Sequence, residues 1–193
     1  MRVYSENYKY FLIIDLEATC CDKGKIARRE MEIIEIGAVL VESQGLTVVD
    51  EFVTFIKPMR HPILTSFCTE LTTITQEDVN SALSYPDAIK IFQEWLCQYN
   101  NYIFCSWGDY DKRQLEQDSK FHGISDTIGS KHINIKKLFS ISQRFKKRYG
   151  MVEALKVSGL KPEGIHHRGI DDAKNMTRLM PFILGRKSVS MEG

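Results

Sequence analysis

Two carboxylates end a strongly apolar segment near the start of the chain. The segment Phe11-Leu12-Ile13-Ile14 continues directly into Asp15-Leu16-Glu17. Because successive side chains of a strand point to opposite faces, Asp15 and Glu17 would share one face and Leu16 the other. Two buried carboxylates repel each other and raise each other's pKa, unless a hard divalent cation neutralises them. The apolar run argues against an exposed strand edge, so the segment predicts a buried strand that ends in a cation site.

Periodic patterns predict further strands and helices along the chain. β-branched runs at residues 33–41 and 48–56 would form a three-strand meander with the first strand. Another strand is predicted at residues 102–107, and residues 57–74 are expected to form a long loop because they contain two prolines. Predicted helices start at the capping residues Thr75, Ser84 and Asn134, the last one ending before Gly150, and others cover residues 111–118, 151–158 and 169–184.

These elements predict one α/β domain. Strands that come first and then alternate with helices indicate a mixed sheet of about five strands with helices on both faces. The single domain would span residues 1–193, with a core from about 10 to 184 and a flexible tail at 185–193.

Composition constrains location and cofactors more than it constrains partners. The chain carries a net charge of only +1, so its overall field does not identify a partner. Its five cysteines show no disulfide or zinc spacing, and Cys97 and Cys105 are expected to be small core side chains. Without a signal pattern or an apolar run of membrane length, the cytoplasm is the expected location, with nucleus or organelle left open, and no membrane partner is expected. The sequence does not allow a protein partner to be inferred.

Two further acidic sites have competing candidates. In Trp107-Gly108-Asp109-Tyr110-Asp111, one aspartate is expected to cap a helix and the other to join the cation site, and the local pattern leaves the choice near even. Further on, His167 precedes Asp172 by five positions at the start of the last helix. A neutral imidazole there could accept a proton from an activated water, although His166 competes with His167 and Asp171 with Asp172.

The order and spacing of these motifs resemble a known enzyme family. Asp15-Leu16-Glu17-Ala18-Thr19, Asp111 followed by Leu115, and His167-x4-Asp172 are similar to the three motifs of the DEDDh 3′–5′ exonucleases. The chain resembles most the branch that contains Eri-1, the three-prime histone mRNA exonucleases and bacterial KapD-like proteins. The stretches that support this branch are residues 16–20 and 32–39, Phe67-Cys68, Leu71-Thr72, Ser106-Trp107-Gly108 and residues 167–175.

The resemblance implies a ribonuclease H-like fold and a role for each motif residue. It favours Asp111 over Asp109, makes His167 the general base, and gives Glu35 a structural role. It implies two Mg²⁺ or Mn²⁺ ions about 3.5–4 Å apart, bound by carboxylates. Asp15 would bridge these ions, Glu17 and Asp172 would complete one site, and Asp111 would support the other, with water in between.

The implied substrate is the free 3′ end of single-stranded RNA or of an RNA overhang, cut to 5′-mononucleotides. DNA as the substrate and a catalytically inactive RNA-binding module are the alternatives, and the intact set of four carboxylates and one histidine argues against the second. Thr73 stands where this branch usually has glycine, which bears on end-group preference. The candidate substrate-binding residues are Leu16, Ala18, Thr19, Phe67, Leu71, Trp107 and His167.

One stretch of the chain is basic and free of acidic residues. Residues 127–152 contain seven lysines and arginines, among them Lys146 and Lys147. The stretch is either a solvated helix face or, beside an acidic metal site, a surface that binds a polyanion.

Overall fold

A computed structural model describes residues 7–22, 24–125, 128–129 and 131–189. In this part of the chain, five strands form one sheet in the order β3-β2-β1-β4-β5. β2 pairs antiparallel with both β1 and β3, whereas β4 pairs parallel with both β1 and β5. The predicted meander and mixed sheet are therefore confirmed. The strands are β1 (Tyr10–Ala18), β2 (Ile33–Glu42), β3 (Val48–Phe55), β4 (Tyr102–Ser106) and β5 (His132–Asn134).

Capping residues set the starts of three helices as predicted. Thr75 and Asp78 form a capping box, Ser84 accepts from the Asp87 N–H, and Asn134 accepts from the Lys137 N–H. The helices are α1 (Ser66–Thr72), α2 (Gln76–Asn80), α3 (Tyr85–Leu96), α4 (Tyr110–Phe121), α5 (Ile135–Ser142), α6 (Met151–Val157) and α7 (Gly169–Ile183), with a 3₁₀ turn at Arg28–Glu30.

The two faces of the sheet are buried by different helices. Phe11 and Ile13 of β1 pack into a core formed with α5, α6 and α7. Leu12, Ile14 and Leu16 pack on the other face against α3 and α4. Asp15 and Glu17 continue the alternation of Phe11 and Ile13, so both carboxylates lie on the face that α7 covers.

Two predictions were wrong, and the fifth strand had not been located. The expected loop at 57–74 contains α1, which Thr65 starts by accepting from the Cys68 N–H. The helix from Asn134 ends at Ser142 rather than before Gly150, because Arg144 adopts a positive φ of 57°. The basic residues after it therefore lie in a loop and not on a helix face. β5, only three residues long, is too short to be predicted from periodicity.

Two further predictions, on the buried cysteines and on the C-terminal tail, were wrong in part. Cys105 is fully buried as expected, but Cys97 is exposed, since it follows the last inward residue of α3, Leu96. In the expected tail, Arg186 donates to the backbone oxygens of Ser43 and Gln44, and the Val189 N–H donates to Gln143 Oε1 at 2.8 Å, so residues up to 189 contact the rest of the fold. Residues 190–193, like Thr127 of the basic stretch, lie outside the described residues. Among the helices described, none has the length and apolarity needed to cross a bilayer.

Candidate active site

Three carboxylates from two elements converge where β1 ends and α7 begins. Asp15, Glu17 and Asp172 each bring a carboxylate oxygen within 4.8 Å of the others. Glu17 and Asp172 are buried, and Asp15 is partly exposed. The fold thus brings together Asp15 and Asp172, which are 157 positions apart in sequence. Asp15, Glu17 and Asp172 are called the acid cluster below.

Two glycines allow α7 to approach the sheet this closely. A Cβ atom at Gly37 would overlap the carbonyl carbon of Gly169 and the nitrogen of Ile170. A Cβ at Gly169 would lie 2.9 Å from the backbone oxygen of Asp15, which pairs with Gly37 across the β1–β2 ladder. This contact was not predicted, although a glycine inside the apolar run of β2 is a known sign of close backbone approach.

A buried ion pair fixes the start of α7. Glu35 is fully buried, and its carboxylate accepts from Arg168 Nη2 at 3.0 Å and from Arg168 Nε at 3.2 Å. The same carboxylate accepts from the Gly169 N–H at 2.9 Å. Because these bonds fix the guanidinium in a fork geometry, they hold the first turn of α7 over β2. Glu35 thus has a structural contact, and its partner Arg168 was not predicted.

The structure separates the two candidate aspartates before α4. Asp111 is buried in the first turn of α4, and its Oδ1 accepts from the Leu16 N–H of β1 at 3.3 Å. Asp109 is exposed, and its side chain makes no capping hydrogen bond, so the expected capping role is absent. Asp111 is therefore the aspartate that lies beside Asp15 and Glu17.

The electrostatics of these groups favour a bound cation. Burial and the neighbouring charges of Asp111 and Glu17 raise the pKa of Asp15 well above its ordinary value. Burial and the charge of Asp172 raise the pKa of Glu17 to about 8, and burial raises the pKa of Asp111 to about 6. Carboxylate oxygens are the ligands that Mg²⁺ and Mn²⁺ prefer, so the donor set fits a hard divalent cation that would relieve this repulsion.

Both candidate histidines reach the acid cluster, by different atoms. His167 donates its backbone N–H to Asp172 Oδ2 at 3.1 Å, and its Nδ1 lies 4.0 Å from Glu17 Oε1. His166 Nδ1 lies 3.1 Å from Asp172 Oδ2, and the two imidazoles stack with centroids 3.9 Å apart. The ring of His167 therefore lies near Glu17, whereas His166 contacts Asp172.

His167 has a strained backbone and a shifted pKa. Its φ of 64° lies in the left-handed region, where a residue other than glycine stays only if its surroundings hold it. Burial and the neighbouring His166 lower the pKa of its imidazole, against a smaller opposing effect of Asp172. The ring is therefore neutral at neutral pH, which is the state that can accept a proton.

The structure also gives Asp171 and Asp172 different contacts. Asp171 accepts from the Ile165 N–H at 2.8 Å and so belongs to the loop before α7. Asp172, one residue on, lies beside Asp15 and Glu17 as a member of the acid cluster.

Three of the candidate substrate-binding side chains are buried. Leu16 packs in the core under α3 and α4, and Ala18 is 5% exposed. Thr19 is 1% exposed, and its Oγ1 accepts from the Glu32 N–H at 3.0 Å, which links the ends of β1 and β2. These side chains shape the site from within, and little of their surface is open to a ligand.

The remaining candidates are more accessible. Phe67 is partly exposed and Leu71 is 36% exposed, and both lie on α1, four residues apart on one face of the helix. α1 lies beside the end of β1, since Cys68 Sγ contacts the Ala18 oxygen at 3.7 Å. Trp107 is partly buried, and its Nε1 donates to the Tyr149 oxygen at 3.2 Å.

Comparison with known sequences places this arrangement among the exonucleases. A family model described as exonuclease matches residues 12–180. Human ERI1 exoribonuclease 3 is 33% identical over 189 residues, an alignment that covers 94% of this chain and 55% of the human protein. The chain thus spans about half the length of this relative. The 3′-5′ exonuclease Snipper of Drosophila melanogaster is 33% identical over 199 residues, covering 93% of this chain and 70% of the fly protein.

Solved structures show the same similarity. The nuclease domain of 3′hExo, a DEDDh family member bound to rAMP, matches with a TM-score of 0.82 and 28% identity, covering 93% of both chains. A 3′-exonuclease in a structure of histone mRNA stem-loop recognition matches with a TM-score of 0.84 and 28% identity, covering 93% of this chain and 64% of that one. Exonuclease I of E. coli, at 11% identity and a TM-score of 0.71, shares the fold.

Proposed function

This chain belongs to the Eri-1 branch of the DEDDh 3′–5′ exonucleases, and on that premise we propose that it is a metal-dependent 3′–5′ exoribonuclease. It removes 5′-mononucleotides from the 3′ end of single-stranded RNA or RNA overhangs. The observation that carries this proposal is the acid cluster with Asp111 and His167 beside it.

The carboxylates are the proposed metal ligands. Asp15, Glu17 and Asp172 would hold Mg²⁺ or Mn²⁺, with Asp111 supporting from α4. The chemistry that two such ions supply is polarisation of the scissile phosphate and acidification of the attacking water.

The other residues of the site have proposed roles in proton transfer, in positioning the start of α7 and in stacking of the terminal bases. His167 accepts the proton of the attacking water, and its lowered pKa supports this role because the ring is neutral at neutral pH. Glu35 and Arg168 hold the start of α7, and through it they position both Asp172 and His167. Phe67 and Leu71 on α1 offer accessible apolar surface on which the terminal bases would stack.

RNA is the favoured substrate because of the relatives rather than a resolved contact. The human relative is named an exoribonuclease, and the rAMP-bound nuclease domain superimposes over 93% of this chain. DNA remains the second candidate because metal-assisted hydrolysis of a phosphodiester does not require a 2′-hydroxyl.

The test is degradation of 5′-labelled single-stranded RNA and DNA of matched sequence with Mg²⁺, with Mn²⁺ or with a chelator. We expect a ladder of shortened RNA with either metal and none with chelator. Asp111→Asn should abolish the ladder, whereas Asp109→Asn, an exposed neighbour on the same turn, should leave it unchanged.

Other outcomes would favour a different substrate, a different activity or a different metal site. Equal ladders on DNA and RNA would reassign the substrate, and binding without cleavage under any metal would favour the inactive RNA-binding alternative. A variant Asp109→Asn that fails while Asp111→Asn works would show that the metal site has been misassigned.

A further inference from the structure

A positively charged pocket lies next to the acid cluster. It has a volume of about 360 Å³ and lies between α4 and the 3₁₀ turn Arg28–Glu30. None of the described residues that line it carries a carboxylate. The lining residues are Arg28, Arg29, Tyr110, Arg113, Gln114 and Gln117.

The pocket has fixed walls. Gln114 and Gln117 each donate Nε2 to the Met31 oxygen at 2.8 Å, which ties the segment after the 3₁₀ turn to α4. Tyr110, Arg113, Gln114 and Gln117 follow an i, i+3, i+4, i+7 spacing and so form one face of α4, about 10 Å long at 1.5 Å per residue. The pocket is therefore a groove along this helix.

The three guanidinium groups in this groove are poorly neutralised by the protein itself. Arg28 lies with its guanidinium carbon 5.5 Å from the Tyr110 ring centroid. Arg29 is 3.7 Å from Glu30, but both side chains are exposed, and the Glu30 carboxylate is also 3.7 Å from His61 Nε2. Arg113 is exposed, and within the described residues neither it nor Arg28 has a carboxylate at ion-pair distance. An anion in the groove would relieve the mutual repulsion of these groups.

The groove begins beside the proposed reaction site. Tyr110 directly precedes Asp111, whose Oδ1 bonds to Leu16 next to Asp15. From Tyr110 the groove runs away from the acid cluster along α4. The arginines therefore lie along the same helix that carries Asp111, on a course that a single strand leaving the acid cluster would follow.

We propose that this groove binds the backbone phosphates of the single strand whose 3′ end occupies the acid cluster. This proposal rests on the proposed nuclease function. Arginine forks bind phosphate through paired hydrogen bonds, and such contacts carry no base information. The groove would therefore add affinity for longer strands, equally for RNA and DNA, without adding sequence preference.

The test is the salt dependence of binding, measured without divalent cations so that no strand is cut. Fluorescence anisotropy would follow a 5′-fluorescein-labelled 12-mer of uridine and its deoxythymidine counterpart over a range of NaCl concentrations. The variant is Arg29→Gln with Arg113→Gln, and the matched control is Lys90→Gln with Lys156→Gln, which removes two exposed positive charges elsewhere.

We expect the arginine variant to bind both 12-mers about tenfold more weakly at 100 mM salt. The slope of log K against log salt should flatten by about 1.4, since each lost phosphate contact on a single strand contributes about 0.7. The control should keep the wild-type slope. Hydrolysis of the p-nitrophenyl ester of thymidine 5′-monophosphate, which has no upstream strand, should be unchanged in both variants, as should their thermal midpoints.

An unchanged slope in the arginine variant, or an equal flattening in the control, would overturn the groove while leaving the nuclease intact. Slower hydrolysis of the small ester by the arginine variant would also overturn it, because the arginines would then act on the reacting phosphate. Failure of the wild-type protein to cut or bind either strand would instead count against the proposed function itself.

Discussion

Asp172 contacts two adjacent histidines through different atoms. It accepts the backbone N–H of His167, which leaves that imidazole near Glu17, and it faces the imidazole of His166 directly. A base that acts on water between the carboxylates needs a free ring beside them. His167 meets this requirement, whereas the His166 ring is already engaged with Asp172.

We therefore expect His167→Ala to lower kcat on single-stranded RNA by about 10²- to 10⁴-fold, the usual contribution of a general base. His166→Ala should cost less than tenfold, because it removes a contact to Asp172 and the ring stacked on His167 but leaves the His167 imidazole beside Glu17. Steady-state cleavage of a labelled oligonucleotide would measure both, with circular dichroism as a check on folding. A larger loss in His166→Ala than in His167→Ala would reverse the assignment.

Thr73 adopts a backbone conformation that glycine would fit better. It ends α1 with a φ of 62°, and its N–H donates to the Thr69 oxygen. Glycine adopts this left-handed conformation without cost, whereas a β-branched residue is strained in it. The glycine usual at this position in the resembled branch fits this cap better than threonine does.

Thr73→Gly should therefore stabilise the protein by about 1 kcal/mol, the strain of the left-handed conformation less the added entropy of the unfolded chain. Urea unfolding would measure the change. The control is Thr75→Ala, which removes a capping box and should destabilise the protein by about 1 kcal/mol. A destabilising effect of Thr73→Gly would mean that the threonine side chain makes contacts that outweigh its strain.

At the scale of elements, the contact between α7 and the β1–β2 ladder decides whether a site exists. Asp15 and Glu17 come from a strand and Asp172 from a helix, and only backbone-to-backbone approach at Gly37 and Gly169 closes the distance. The Glu35–Arg168 pair then fixes that approach.

Gly37→Ala should push α7 away from the sheet, because its methyl group would overlap backbone atoms of Gly169 and Ile170 at the start of that helix. Overpacking of this kind costs about 1–3 kcal/mol or more, and it should also abolish most of the activity by moving Asp172. Urea unfolding and Mn²⁺-dependent RNA cleavage would measure the two effects. Gly150→Ala, where the nearest atom is a flexible side-chain oxygen at 3.9 Å, serves as the control. Full activity in Gly37→Ala would contradict the role given to this contact.

The basic loop after α5 is a second element whose role depends on structure. Lys146 and Lys147 are exposed, and Lys147 lies 4.4 Å from the Tyr149 ring. Tyr149 in turn accepts from Trp107 at the end of β4, so the loop is tied to the sheet edge that carries the site.

If this loop contacts the substrate, Lys146→Glu with Lys147→Glu should weaken RNA binding and flatten its salt dependence. The matched control is Lys90→Glu with Lys156→Glu, which makes the same charge change at distant exposed positions. Filter binding over a range of salt concentrations would measure both. An unchanged slope in the loop variant would leave the stretch as ordinary solvated surface.

For the whole molecule, the acid cluster makes metal binding and stability depend on each other. The pKa of Glu17 rises from 4.5 to about 8 in the folded state. Between these values the folded protein binds more protons than the unfolded chain, so this group's contribution to stability falls as pH rises through that window. A divalent cation should reverse the loss by neutralising the carboxylates.

We expect Mn²⁺ at about 100 times its Kd to raise Tm by about 5–10 °C, which corresponds to about 2.7 kcal/mol in a protein of this size. At one fixed Mn²⁺ concentration the rise should be larger at pH 8 than at pH 6, since protons compete with the metal and raise its Kd at the lower pH. Glu17→Gln should lose most of both the metal effect and the pH dependence of the metal-free protein. Calorimetry at the two pH values would measure this. A metal-induced shift that is equal at both pH values, or that survives in Glu17→Gln, would contradict the expectation.

Much of the fold was predictable because it rests on local patterns. Alternation placed Asp15 and Glu17 on one face of β1, and capping residues set the starts of α2, α3 and α5. The ends of α5 and α1 were not predictable, because positive φ angles at Arg144 and Thr73 follow these helices and no glycine marks either position.

The sequence by itself determined the class of fold, the family and the set of acidic residues from which the site is built, because periodicity, capping and motif spacing are written along the chain. Local patterns left open Asp109 against Asp111, His166 against His167 and Asp171 against Asp172, because neighbours in sequence share every local signal. The resemblance to the exonuclease motifs favoured Asp111, His167 and Asp172, and only the tertiary structure gives the physical reason that separates the members of each pair. Adjacent side chains point in different directions from the backbone. The close contact of Gly37 with Gly169 fixes the position of α7, and so decides which of these side chains lie beside the carboxylates of β1.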